Sequence, residues 1–81
     1  MSELLPGFRT VRASDVNRDG MYLELIEHRT GDAVAEVFYS DSSNLMTISL
    51  FKPNLPLNVV ESLINKAKQD LPPASEQIAK G

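Results

Sequence analysis

A chain of 81 residues with 42% hydrophobic and 23% charged side chains has the composition of one folded domain rather than a disordered segment. A core of this size supplies only about 3–5 kcal/mol. With no cysteine and one histidine, His28, disulfides are excluded and a structural metal is not expected, so oligomerisation is the remaining source of stability. Charge is unevenly placed within the net −3: from Gly20 to Phe51 the only basic residue is Arg29, against Glu24, Glu27, Asp32, Glu36 and Asp41. That sign disfavours phosphate binding by this stretch.

The first residues, Met1 to Phe8, contain neither a basic leader nor an apolar signal segment, and no apolar run approaches the roughly 20 residues of a membrane span. A soluble, cytoplasmic chain is the expectation. Residues 1–19 read as an N-terminal arm in which Phe8, Val11 and Val16 are able to add an edge strand, although Pro6-Gly7 interrupts the pattern. Arg9, Arg12 and Arg18 form the one basic cluster, offset by Glu3, Asp15 and Asp19.

Asp15 to Gly20 matches the first six positions of an EF-hand calcium loop, with oxygen-bearing residues at alternate positions followed by a glycine. The twelfth position is Ile26 where a bidentate glutamate is needed, and the following residues alternate as a strand rather than winding as a helix. A plain turn is the better reading.

Residues 20–71 are predicted to form a β-β-β-α domain: a three-stranded antiparallel meander followed by one C-terminal amphipathic helix packed on one sheet face, an α+β fold. In the first strand, Met21, Leu23 and Leu25 alternate with Tyr22, Glu24, Ile26 and His28. Thr30-Gly31-Asp32 supplies the turn. The second strand sets Ala33, Ala35, Val37 and Tyr39 against Val34, Glu36 and Phe38. The third, after Asp41 to Asn44, sets Met46, Ile48 and Leu50 against Leu45, Thr47, Ser49 and Phe51.

Parity and turn length predict pairing of Leu25 with Val37 and Leu23 with Tyr39 in the first hairpin, which keeps Glu24 from facing Glu36. They predict Tyr39 with Met46 and Val37 with Ile48 in the second. Pro56 opens the helix, whose apolar stripe is expected to be Leu57, Val60, Leu63, Ile64, Ala67 and Leu71, with Val59 on its flank. Pro72-Pro73 ends it by Asp70 or Leu71, and 72–81 is expected to be a flexible tail.

One helix shelters one face of such a sheet. Beside Leu45, the opposite face carries Tyr22, Ile26, Val34, Phe38 and Phe51, an apolar set that monomers seldom leave in water. These five residues are the candidate interaction surface. Two coverings are available: the N-terminal segment laying down Leu4, Leu5, Phe8 or Val11, or a second copy of the chain.

Catalytic signals are weak. His28 has no nucleophile setting around it, the serines at 40, 42, 43 and 49 lack an elbow motif, and no glycine-rich phosphate loop exists. Glu24 and Glu36 share a face, as paired acid–base carboxylates do, but so do ordinary solvent-facing glutamates. The sequence therefore predicts a non-enzymatic protein-interaction module that self-associates through the second sheet face or an edge strand. It predicts a homodimer or another protein as partner, and no cofactor, metal, membrane or nucleic acid. The alternative is a nucleic-acid-associated or regulatory factor using the N-terminal arginines.

Overall fold

The computed structural model describes residues 6–71. The expected tail at 72–81, and Leu4 and Leu5 of the arm, lie outside the described residues. Four strands, β1 (Phe8–Asp15), β2 (Gly20–Glu27), β3 (Ala33–Ser40) and β4 (Met46–Leu50), pair antiparallel in the order β1-β2-β3-β4 and are followed by α1 (Leu57–Asp70). The α+β class and the single C-terminal helix agree with the sequence reading. Within the arm, Phe8–Asp15 form the edge strand that the sequence left optional, so the meander has four members.

Two hairpins close in the same way. Asp15 pairs with Gly20 across a four-residue loop whose last member, Asp19, has φ of 56°. Ser40 donates to Leu45 O across Asp41 to Asn44, and Asn44 has φ of 61°. Asp and Asn tolerate this left-handed conformation better than other side chains, because their short polar groups bond locally. Asn44 does so, its Oδ1 accepting from Tyr39 Oη at 2.7 Å. The Asp15 to Gly20 stretch is thus a hairpin turn.

The second expected register is observed: Tyr39 faces Met46 and Val37 faces Ile48. The first requires correction, since Leu23 faces Val37 and Leu25 faces Ala35, two residues from the expected pairing, and Glu24 lies directly opposite Glu36. A slip of two keeps every side chain on its face, so alternation alone does not distinguish the two registers. A bulge decides between them. Ile26 pairs with Ala33 while Leu25 pairs with Ala35, which leaves Val34 as the extra residue.

That bulge also moves Val34 out of the face that alternation assigns to it. Val34 joins Leu23, Leu25, Ala35 and Val37 in the core beneath the helix. The helix contributes Val59, Leu63, Ala67 and the capping Leu71, a row spaced at four residues. The expected stripe is therefore rotated: Val59 is central and Leu57 is largely exposed. Leu71 is extended, with ψ of 144°, as the following proline requires, and the helix ends where expected.

Candidate interaction surface

An α-helix is about 10–12 Å wide with its side chains, whereas four strands about 4.8 Å apart span roughly 14 Å between outer strand axes. Here α1 lies over β2 and β3. The side nearer β1 is closed by Phe8, which packs against the core, and by Arg12, whose Nη1 donates to the Asp70 carbonyl at 3.1 Å. The side nearer β4 is left open. Every β4 residue is exposed.

The uncovered apolar surface is concentrated there. Leu45 is 62% exposed, Met46 38%, Ile48 41%, Leu50 55% and Phe51 58%; outside this segment, among the described residues, only Val16 and Leu57 are large apolar residues exposed to this degree. Met46, Ile48 and Leu50 share the helix-side face with Val37 and Tyr39. Between them and the helix runs a depression of about 200 Å³ lined by Val37, Met46, Ile48, Ile64, Ala67 and Lys68. A second, about 520 Å³, lies beyond Leu50, where Phe51, Pro53, Leu55, Leu57 and Val60 form its apolar walls.

The backbone of β4 has a free side. Ser40 N donates to Leu45 O and Phe51 N to Val34 O, both at 2.9 Å. Antiparallel ladders alternate bonded and non-bonded pairs, so Leu45, Thr47, Ser49 and Phe51 point their amide and carbonyl groups at β3. Those of Met46, Ile48 and Leu50 point away from the sheet. Ser42 through Phe51 contains no charged residue. The opposite edge differs: β1 carries exposed Arg9 and Arg12, and ends in Asp15. Charge on an edge strand is the usual guard against pairing with another chain, and β4 has none.

The second sheet face is organised by Arg18. Its Nη1 and Nη2 donate to the two carboxylate oxygens of Glu36 at 3.2 and 2.7 Å, and its Nε and backbone N donate to Asp15. The guanidinium lies 4.2 Å from the Phe38 ring centroid. This planar, two-pronged contact offsets the apposition of Glu24 and Glu36, of which Glu36 is only 8% exposed. The same hydrogen bonds hold the Asp15 carboxyl below its ordinary range and raise the Arg18 guanidinium still further. At the opposite end of β2, Lys52 Nζ donates to Glu27 at 2.8 Å and lowers that carboxyl as well.

The five residues singled out in the sequence are dispersed. Ile26 is buried, Val34 belongs to the helix-side core, Tyr22 and Phe38 are half-buried with Arg18 above the Phe38 ring, and Phe51 is exposed beside β4. Only Phe51 adjoins the uncovered segment. Sequence reasoning missed Met46, Ile48 and Leu50, because they fall on the sheet face that the helix was expected to cover, and Leu57, because it lay on the helix stripe expected to face the sheet. Recognising Phe8–Asp15 as a fourth strand, which makes the sheet wider than the helix, was the available signal.

The N-terminal arginines are not a patch. Arg9 and Arg12 project to opposite faces of β1, and Arg18 is engaged by two carboxylates. His28 is exposed just past β2, its backbone N donating to Gly7 O. Among the described residues no group of three or more His, Asp or Glu side chains is placed to hold a metal ion, and no helix is long and apolar enough to cross a membrane.

Comparison with protein-family models, curated proteins and solved structures finds no significant match. This arrangement offers backbone hydrogen bonds along one edge and an apolar strip beside it. Such a combination adds a strand and buries side chains.

Proposed function

We propose that this protein is a non-enzymatic interaction module that works by self-association through the β4 edge and the apolar strip between β4 and α1. The observation that carries the reading is the exposure of Leu45, Met46, Ile48, Leu50 and Phe51 on an edge strand with no charge. A chain of net charge −3 meets a second copy with least repulsion along an uncharged edge, and paired copies are the commonest soluble assembly. A cytoplasmic setting, with which the absence of cysteine is compatible, belongs to the same reading.

Sedimentation velocity across a wide concentration range tests it, with Ile48→Lys as the comparison. The natural sequence gives a dimer at the upper concentrations. The lysine variant, whose side chain extends into solvent from an already exposed position, stays monomeric with an unchanged circular dichroism spectrum. A strictly monomeric natural chain at the highest concentration overturns the proposal, and so does a dimer that Ile48→Lys leaves intact.

A further inference from the structure

We infer that the second copy joins in one register: β4 pairs antiparallel with β4 of the other copy about a twofold axis at Ile48, making one continuous sheet. This rests on the self-association reading above and adds to it the geometry of the contact. Backbone direction limits the choices, because Met46, Ile48 and Leu50 are the residues whose amide and carbonyl groups face outward. Outward-facing residues must meet outward-facing residues. Twofold pairing about Ile48 sets Ile48 against its own copy and Met46 against Leu50, so every free backbone group of β4 is matched.

Side chains favour the same register. On the face away from the helix it sets Phe51 opposite Leu45 of the second copy, bringing together the most exposed apolar residues of the segment. It also sets Lys52 opposite Asn44 rather than another charge. Moving the axis to Thr47 or Ser49 slips the pairing by two residues, which puts Phe51 opposite Ser43 or Thr47 and leaves one end of β4 unmatched. Pairing of β4 with β1 is opposed by Arg9, Arg12 and Asp15, so the contact closes as a pair and does not propagate.

Thr47 and Ser49 provide the test, since both are exposed and in this register they form the non-hydrogen-bonded pair across the axis, with Cα atoms about 4.5 Å apart. The natural chain has no cysteine, so Thr47→Cys and Ser49→Cys each introduce a single thiol. One full-length variant is isotopically labelled, the two are mixed, and a mild thiol oxidant is added. Mass spectrometry of the non-reduced product is expected to show the mixed 47–49 disulfide in severalfold excess over either like-with-like species.

Excess of the 47–47 or the 49–49 product moves the axis and overturns the register. A dimer by sedimentation that forms none of these bonds overturns β4 pairing but leaves self-association standing. A monomer removes both.

Discussion

Gly20 is the position where one added carbon tests the packing of the whole second face. A Cβ there would stand 2.0 Å from the Tyr39 carbonyl oxygen and 2.6 Å from Phe38 Cζ. Restoring even a 3.0 Å approach requires β2 and β3 to part by about 1 Å, because the nearer obstacle is backbone and cannot rotate away. That movement disrupts the Gly20–Ser40 rung and the adjoining bond from Asp41 N to Asp19 O, and it displaces Phe38 beneath Arg18.

Overpacking costs about 1–3 kcal/mol and a lost hydrogen bond about 0.5–1.5 kcal/mol, so Gly20→Ala is expected to cost about 2–4 kcal/mol. A domain of this size holds roughly 3–5 kcal/mol in total. With a urea slope near 1 kcal/mol/M for so small a chain, the midpoint falls by about 2–4 M, which at mid-range leaves the variant about 1 kcal/mol of stability. Gly31→Ala is the control: its φ of 77° carries strain, but nothing lies within 4 Å of the new carbon, so the cost is about 1 kcal/mol. Urea titration followed by circular dichroism ranks the two. A Gly20→Ala midpoint at or above that of Gly31→Ala refutes the close approach of β2 to β3.

Three further outcomes follow from the same contacts. Leu63→Ala, at a side chain with no exposure, should cost about 2–5 kcal/mol, whereas Leu57→Ala should leave stability within about 0.5 kcal/mol of the natural chain; a loss at Leu57 as large as that at Leu63 would return the helix to the stripe read from sequence. Arg18→Ala should lower the midpoint more in the natural background than in Glu36→Gln, and a double-mutant cycle with no coupling contradicts the bidentate bridge. The Asp15 and Glu27 carboxyls are held below their ordinary 3.8 and 4.5 in the folded chain, so the stability they add is complete above about pH 5 and is lost as pH falls through those values and below. Thermal midpoints should therefore decline between pH 5 and 3, less steeply in the Asp15→Asn, Glu27→Gln double variant; a midpoint that rises on acidification contradicts both ion pairs.

Alternation made β2, β3 and β4 legible, because Leu23, Leu25, Val37 and Ile48 recur at period two beside polar partners. It was mute on slips of an even number of residues and on the bulge at Val34, whose side chain packs in the core beneath the helix. β1 was faint for a physical reason: an edge strand has one neighbour and tolerates Arg9 and Arg12 where a central strand would not. Two overlapping stripes shared Leu63, Ala67 and Leu71, and the choice between Val59 and Leu57 depended on where the chain from β4 delivers the helix. The apolar strip on β4 followed from the same rotation and narrowness of α1, which no pattern within a single strand could report.

Amide hydrogen exchange along β4, read residue by residue by NMR at rising protein concentration, tests self-association through this edge most directly. Thr47 and Ser49, bonded to β3, should be protected throughout, while Met46, Ile48 and Leu50 should exchange freely in dilute solution and become protected as the concentration rises. Fast exchange of Met46, Ile48 and Leu50 at every concentration would contradict it.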